Sequence, residues 1–241
     1  MKQNKTIKIL IIALSLILVG LLVWIGVLIA SDAFPLEPNE TEPPETTAGP
    51  TAPSEPIRDL GEGIYLMDLF NVTGTFVEDG NNAKVDRVAA IMIENRSDKT
   101  LQLADIFVIK DGVQYSFRMT TLPAGAVAVV QESGKQVFGK TEGEFVGSIE
   151  NVVFFKEEPS LYAQTFQLST GMNLIEITNK TDSDIAGPIY IYYKSKASYG
   201  YQGGITYRVQ VPSLKAGETY DAYAGHFYGE NSQVMFIDYP K

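Results

Sequence analysis

Hydrophobic and polar positions divide the chain into three regions of different character. An uncharged run rich in leucine, isoleucine and valine extends from Ile9 to Ala30, and a polar, proline-rich segment follows it. From about Ile57, short runs of valine, isoleucine, tyrosine and phenylalanine alternate with glycine, asparagine, aspartate and serine. The three patterns predict an apolar helix, an unfolded linker and a β-rich globular region, in that order.

The globular region shows the period-two alternation of half-buried strands, most clearly over residues 206–211. No stripe of apolar residues at helical spacing follows residue 31. Short strands without crossover helices favour antiparallel sandwiches over a parallel sheet, so we predict an all-β fold. The predicted strands are 64–70, 72–77, 85–94, 104–109, 114–119, 126–130, 151–156, 163–168, 173–178, 188–194, 205–211, 218–224 and 234–237.

Residues 9–30 are long enough to cross a membrane. The run contains 22 residues, and a helix rising about 1.5 Å per residue would span roughly 33 Å, against ~30 Å for the hydrocarbon core. Lys2, Lys5 and Lys8 precede the run, and lysines favour the cytoplasmic side. We predict a cytoplasmic tail over 1–8, a transmembrane helix over 9–30 and an extracellular location for the rest.

A cleaved signal peptide is the alternative to this anchor. Ser31 and Ala33 could flank a cleavage site, but the apolar region of a signal peptide is usually only about 7–15 residues long. A lipid-modified terminus is excluded because the chain has no cysteine. An exported chain without cysteine also suits an envelope that does not rely on disulfides, such as a Gram-positive surface.

Residues 31–57 form the predicted linker. Seven of the twelve prolines and six acidic residues lie within 31–56, with no basic residue among them. Such a segment has little apolar surface to offset the entropy of ordering, and its prolines extend it. We predict a disordered, acidic stalk between the membrane and the folded head.

An internal repeat sets the predicted number of domains. Residues 91–101 match residues 175–185 at a constant offset of 84, with four identities in eleven positions. A second block, 122–125, matches 214–217 at an offset of 92. Two unrelated sandwiches could share such turns, but duplication explains the order of both blocks. We predict two tandem immunoglobulin-like β-sandwiches, 58–160 and 161–241.

Each copy carries an asparagine followed by polar turn residues. The segments are Asn95-Arg-Ser97-Asp98 and Asn179-Lys-Thr181-Asp182. Short polar side chains bind nearby backbone amides, so the pattern predicts a turn after a strand. Both segments also have the form of glycosylation sequons, but their recurrence favours the turn interpretation.

The repeated order of motifs resembles a known class of bacterial surface modules. A strand, Asn-x-Ser/Thr-Asp, paired apolar strands and Leu-x-Ala-Gly are similar to FxLYD-like β-sandwich modules, although the Phe-x-Leu-Tyr-Asp string itself is absent. The segment from Gly203 to Phe236 resembles the end of uncharacterised, membrane-anchored exported proteins of Gram-positive anaerobes. The resemblance implies a secreted sandwich architecture and assigns no catalytic residue or ligand.

Composition excludes several kinds of chemistry. A chain with no cysteine and one histidine cannot build a zinc ribbon, an iron–sulfur site or a multi-histidine metal centre. A net charge of −10 argues against nucleic-acid binding, which needs basic residues for the phosphates. Acid–base catalysis through histidine would have to use His226, which we interpret as a histidine at a sheet edge that binds the neighbouring backbone. We predict no catalytic site and no cofactor.

Two turns contain enough oxygen ligands to suggest calcium. They are Glu78-Asp79-Gly80-Asn81-Asn82 and Asp182-Ser183-Asp184. Neither follows an EF-hand pattern, and such residues are common in turns. We therefore predict no metal site.

The second copy carries an insertion with unusual composition. Where the first copy has the short turn Lys110-Asp111-Gly112, the second has residues 194–204, with two tyrosines and three glycines. Nine of the thirteen tyrosines fall between residues 190 and 228. Tyrosine stacks on sugar rings and packs against proteins, whereas it also fills cross-strand pairs, with Gly203-Gly204 forming a bulge. The candidate ligand-binding residues are Tyr192, Tyr199, Tyr201 and Tyr207.

These observations predict a non-enzymatic, single-pass membrane protein with an extracellular head. Its function would be an interaction or structural role in the cell envelope, with an envelope protein or a cell-wall glycan as partner. The alternative is a carbohydrate-binding module that uses the tyrosine-rich hairpin of the second domain.

Overall fold

The computed structural model describes residues 55–241. The predicted tail, the predicted transmembrane helix and the predicted linker up to residue 54 lie outside the described residues. Within 55–241, no helix has the length and apolarity needed to span a membrane.

The described part of the chain is all-β, as predicted. It contains twelve strands and one short 3₁₀-helix, Gly229–Asn231. The strands are β1 (Arg58–Gly61), β2 (Ile64–Thr75), β3 (Lys84–Asn95), β4 (Leu101–Lys110), β5 (Val113–Leu122), β6 (Val127–Gln131), β7 (Phe145–Phe154), β8 (Phe166–Asn179), β9 (Ile189–Ala197), β10 (Gly200–Val211), β11 (Thr219–Tyr228) and β12 (Ser232–Asp238).

Most predicted strands are present, with corrected boundaries. Strands predicted separately at 64–70 and 72–77 form the single strand β2, whose register with β3 shifts twice. Those predicted at 163–168 and 173–178 likewise join in β8. The strand predicted at 151–156 is only the end of β7, and β1 was not predicted. The predicted breaks fell at Asn71 and at Ser169-Thr170-Gly171, which are residue types common in turns but lie here within continuous strands.

The strands form three sheets. The large sheet has the order β1-β2-β3-β6-β10-β9-β12, the second sheet the order β5-β4-β7, and the third the order β11-β8. All pairings within the described residues are antiparallel except that of β6 with β10. We call residues 55–160 the first half and 161–241 the second half, so β6 and β10 join the two halves in one sheet.

Each half encloses its own apolar core. The first core lies between β2, β3 and β6 of the large sheet and β4 and β5 of the three-stranded sheet. The second core lies between β8 and β11 on one side and β9, β10 and β12 on the other. The isoleucines that the repeat predicted to face inward, Ile91, Ile93, Ile175 and Ile177, are all fully buried in these cores.

The two halves repeat the same strand pairings. β3 pairs with β6 as β8 pairs with β11, and the order β5-β4-β7 corresponds to β10-β9-β12. The internal repeat of the sequence therefore has a structural counterpart in five consecutive strands. The halves meet in the large sheet through strands that do not correspond, because β6 pairs with β10, whereas the counterpart of β6 in the second half is β11.

Asn95 and Asn179 confirm the turn interpretation. Asn95 Oδ1 accepts hydrogen bonds from the Ser97 backbone N–H (3.1 Å) and hydroxyl (2.7 Å), and its Nδ2 donates to Lys99 O (2.9 Å) and Leu122 O (2.8 Å). Because its side chain is fully buried, Asn95 is not exposed as a sequon would require.

The second copy repeats these bonds at the offsets of the sequence repeat. Asn179 Oδ1 accepts from the Thr181 backbone N–H (2.9 Å) and hydroxyl (2.8 Å), while Nδ2 donates to Ser183 O (2.8 Å) and Leu214 O (3.3 Å). Asn179 is also fully buried. The conserved pattern of bonds explains why the two copies share these residue types.

Candidate functional site

The hairpin between β9 and β10 joins the two halves. In the first half, β4 and β5 are connected by Asp111 and Gly112, both at positive φ (51° and 78°), as a tight hairpin turn requires. In the second half the hairpin continues further, with β9 reaching Ala197 and β10 beginning at Gly200, and we call residues 194–204 the hairpin arm. The arm reaches β6, where Tyr201 pairs with Ala128 in parallel.

Two of the candidate tyrosines lie in this arm and pack against the first half. Tyr201 is 7 % exposed and belongs to the first core. Tyr199 packs against a small apolar cluster of β2, β3 and β6 that includes Met67 and Met92, and burial raises the pKa of its hydroxyl to about 12. Both rings are occupied by contacts within the chain.

Gly203 and Gly204 form the bulge expected from the sequence. The register of β10 with β9 shifts between Gln202 and Tyr207. A Cβ atom on Gly204 would lie 1.8 Å from the carbonyl oxygen of Arg118, so only glycine fits where the arm meets β5. This close approach places the two backbones in direct contact.

Two buried ionisable groups hold the arm in place. Lys194 has no exposed surface, and its Nζ donates to Thr120 O (2.9 Å), Gly204 O (3.1 Å) and Ile205 O (2.7 Å). Glu78 accepts from the backbone N–H of Gly204 (2.8 Å) and, through its other oxygen, from that of Gln131 (2.8 Å). Burial raises the pKa of Glu78 and lowers that of Lys194, both to about 7.

Tyr207, a third candidate, packs beside the single histidine. Its ring stacks on His226 at 4.4 Å between centroids and on Tyr193 at 5.6 Å, and its hydroxyl donates to Val77 O (3.1 Å). His226 Nδ1 lies 3.3 Å from the amide nitrogen of Asn82, and burial lowers the pKa of the imidazole. The interpretation of His226 as a sheet-edge histidine that binds the neighbouring backbone was incomplete. Its ring contacts the side chain of Tyr207 in the same half and the side-chain amide of Asn82 in the first half.

The oxygen-rich turns use their side chains to bind the backbone. Asp79 accepts from the N–H of Asn81 (2.9 Å), and Asp184 accepts from the N–H of Ala216 (2.9 Å). Across residues 55–241, no group of three acidic or histidine side chains converges in a way that could hold a metal ion.

A cleft lies between the two halves beside the arm. Its volume is about 460 Å³, within the range of ligand-binding sites, and we call it the junction cleft. Its lining comes from β4 and β5, from the connection between β7 and β8, and from β9, β10 and β12. Tyr192 is the one candidate tyrosine among the lining residues.

Aromatic rings form one wall of the junction cleft. Tyr192 and Phe236 stack face to face, with centroids 4.2 Å apart and planes at 11°. Phe155 meets Phe236 edge to face at 5.4 Å. All three rings are half-buried. The stack on Phe236 holds the ring of Tyr192 in place along one of its faces.

Polar side chains surround these rings. Gln102, Glu157, Glu158 and Asp238 line the cleft and are exposed. One carboxyl oxygen of Glu158 accepts from the hydroxyl of Thr100 at 2.5 Å. The lining therefore combines apolar faces with an amide and three carboxyl groups.

Two lining residues have an unusual backbone conformation. Thr121 and Tyr162 adopt positive φ angles of 48° and 49°. This region is unfavourable for a β-branched residue such as threonine, and residues held in such conformations cluster at functional sites. The strain is therefore a second reason to regard the cleft as the candidate site.

A second concavity, of about 490 Å³, opens near Glu78 and Arg118. Its charged groups already bind partners within the chain. Arg118 Nε donates to Asp105 at 2.7 Å, and Lys135 Nζ lies 3.0 Å from Asp79. Fewer charged groups therefore remain for a ligand in this concavity than in the junction cleft, where the carboxyl groups of the lining are exposed.

Sequence reasoning identified Tyr192 but missed the residues around it. Phe155, Phe236, Glu157 and Glu158 were not among the predicted site residues. The available signal was the predicted domain boundary at residue 160, because binding sites often lie where domains meet. The four candidate tyrosines do not converge, since Tyr192 faces the junction cleft whereas Tyr199, Tyr201 and Tyr207 pack elsewhere.

Comparison with known proteins gives little further information. Neither a protein-family model nor a curated protein matches the chain. Among solved structures, the chain is weakly similar to the C-terminal globular domain of an oligosaccharyltransferase from Pyrococcus abyssi, with 9 % identity and a TM-score of 0.15. The match covers 76 % of this chain and 48 % of that one. A similarity this weak carries no argument about fold or function.

Proposed function

We propose that this chain is a single-pass envelope protein with a non-catalytic, extracellular binding head. The support for the anchor is the uncharged run over 9–30 and the lysines that precede it. In this arrangement residues 1–8 are cytoplasmic, and the proline-rich linker carries the head away from the membrane.

We further propose that the head consists of two immunoglobulin-like sandwiches produced by duplication. The repeated strand pairings and the matched hydrogen bonds of Asn95 and Asn179 support this history. The resemblance to FxLYD-like modules of Gram-positive surface proteins is compatible with it. In this proposal the inserted arm converted two linked domains into one rigid head.

The observation that carries the binding role is the junction cleft. Its aromatic wall, exposed carboxyl groups and strained backbone lie together at the meeting point of the two halves. Concave sites with apolar walls and a few polar groups are the usual form of ligand sites. The partner is an envelope protein or a cell-wall glycan, and the acidic charge of the chain disfavours nucleic acid.

The environment of His226 supports a non-catalytic role. A general base needs an orienting hydrogen-bond partner and access to a substrate proton. The imidazole stacks on Tyr207, and its Nδ1 lies 3.3 Å from the amide nitrogen of Asn82. One face and one nitrogen of the ring thus already contact side chains of the chain, which supports a structural role for His226.

Photo-crosslinking in cells that naturally produce the chain tests this proposal. A photoreactive phenylalanine replaces Gln102 in the cleft, and Tyr223, which is 72 % exposed on β11, provides the control position. We expect an adduct with an envelope component from position 102 and none from position 223. No adduct at position 102, or the same adduct at both positions, would contradict a binding role for the cleft.

The mass of the mature chain tests the anchor. A retained signal-anchor leaves residues 1–30 in the membrane-bound protein. A chain that begins after residue 31 and is released from membranes by alkaline washing would show instead that the leader is cleaved.

A further inference from the structure

We propose that the junction cleft binds an uncharged oligosaccharide. This inference rests on the proposed binding role of the head and adds the chemical class of the ligand. It moves carbohydrate recognition from the hairpin arm, whose Tyr199 and Tyr201 are packed within the chain, to the rings of Tyr192, Phe236 and Phe155.

The aromatic wall provides the apolar part of such a site. One face of a pyranose ring carries only C–H groups, and this face packs on an aromatic ring. Tyr192 is held on one side by the Phe236 ring, whose centroid lies 4.2 Å away. Because the ring is already immobilised, binding would cost little additional side-chain entropy.

The exposed polar groups provide the complementary part. Sugar hydroxyls are hydrogen-bond donors, and carboxylates are strong acceptors for them. Glu157, Glu158 and Asp238 supply carboxyl groups, and the amide of Gln102 can both donate and accept. A ligand with one apolar face and a rim of hydroxyl groups matches this arrangement.

The charge of the cleft selects among carbohydrates. Three of the lining residues are acidic, and none of the lining residues is lysine or arginine. Arg208 and Lys241 are not among the lining residues; the Arg208 guanidinium lies 4.8 Å from the centre of the Tyr190 ring, and Lys241 Nζ lies 4.9 Å from that of Tyr162. Phosphate-bearing or uronic-acid polymers would meet like charge, so the cleft favours an uncharged sugar chain.

The size of the cleft favours a short ligand over a folded partner. A standard protein interface covers about 800 Å² on each side and is rather flat, whereas this site is a concavity of about 460 Å³. A few sugar units inserted end-on or lengthwise suit this volume.

Ligand-observed NMR on the full-length chain in detergent micelles tests the inference. The uncharged probes are trimers of N-acetylglucosamine and of β-1,4-linked glucose, and the anionic probe is a galacturonic acid trimer. We expect saturation transfer to at least one uncharged trimer and none to the anionic trimer. Binding of the anionic trimer alone, or of no trimer at millimolar concentration, would overturn the inference.

Three substitutions localise the binding. Tyr192→Ala should raise the dissociation constant about tenfold or more, because it removes the stacking surface, whereas Tyr192→Phe keeps the ring and should retain most of the affinity. The matched control is Tyr223→Ala, which removes an exposed tyrosine from the other sheet of the second half and should leave binding unchanged. Equal affinity in Tyr192→Ala and the control would place the sugar elsewhere and overturn the inference.

A second test changes the carboxyl groups of the cleft and leaves its aromatic wall intact. The triple variant Glu157→Gln, Glu158→Gln and Asp238→Asn removes the negative charge and should allow the galacturonic acid trimer to bind. If it still rejects that trimer, the proposed charge selection is wrong. If position 102 crosslinks to an envelope protein while the uncharged trimers fail to bind, the binding role stands and the carbohydrate inference does not.

Discussion

Asn95 and Asn179 each hold a reversal of the chain through one buried side-chain amide. The carbonyl oxygen of each amide accepts bonds from the next turn residues, and its nitrogen donates to backbone carbonyl groups on both sides of the turn. A buried amide that makes all these bonds ties the turn to the strands around it. The sequence predicted these turns because the bonds involve residues that lie close together in the chain.

Asn179→Ala should lower the free energy of unfolding by about 2–4 kcal/mol, because it removes all the hydrogen bonds of a fully buried side chain. Asn95→Ala should have a similar effect, since the two residues make equivalent bonds. Near-UV circular dichroism of the tyrosines during urea unfolding measures the change. The only tryptophan, Trp24, lies in the predicted anchor and would not report on the head.

The matched control for these substitutions is Asn231→Ala, which changes an exposed asparagine in the 3₁₀-helix. It should alter the free energy of unfolding by less than about 0.5 kcal/mol. An effect of Asn179→Ala no larger than that of the control would show that the amide does not hold the turn.

At the scale of elements, the hairpin arm is the main difference between the two halves. The sequence indicated an insertion rich in tyrosine and glycine, and it predicted the bulge at Gly203-Gly204. It did not indicate the function of the insertion. The arm extends β10 until it pairs with β6, and Gly204 comes so close to Arg118 that no side chain fits.

Gly204→Ala should displace the arm from the first half and cost about 3 kcal/mol or more, because the new Cβ atom meets a backbone carbonyl that cannot move aside. Hydrogen exchange of the Val129 amide, which faces β10 in the register of β6, should become faster. Gly171→Ala is the control, since Gly171 lies in β8 with open space at its Cβ position. Native-like exchange of β6 in Gly204→Ala would contradict the assigned role of the arm.

At the scale of the whole molecule, the described residues combine two cores with one continuous sheet. Glu78 of the first half and Lys194 of the second both bind the backbone of Gly204. These two groups are buried at the point where the halves meet, so their protonation is linked to the stability of the joined head.

The stability of the head should pass through a minimum near neutral pH. Glu78 has a pKa raised from 4.5 to about 7, so its contribution is complete below pH 4.5 and is lost as the pH rises through about 7. Lys194 has a pKa lowered from 10.5 to about 7, so its contribution is complete above pH 10.5 and is lost as the pH falls through about 7. Urea unfolding as a function of pH measures both effects.

Comparison with a variant separates these two groups from the other titrating groups. The double variant Glu78→Gln and Lys194→Met should lack the minimum and be less stable than the native chain, because it removes bonds that tie both groups to the backbone of the arm. Asp79→Asn with Lys135→Met changes an exposed ion pair (3.0 Å) and should retain the minimum. The same pH profile in the Glu78 and Lys194 variant would exclude these groups as its cause.

The sequence by itself determined the all-β class, most strands, the two buried isoleucine pairs and the asparagine turns. Each of these depends on alternation or on hydrogen bonds between near neighbours, which a linear pattern records. Only the tertiary structure decided that β10 pairs with β6 and that Tyr192 and Phe236 form one wall of a cleft whereas Tyr199 and Tyr201 are packed within the chain. These contacts join residues far apart in the chain, and their geometry depends on how the two halves fit together.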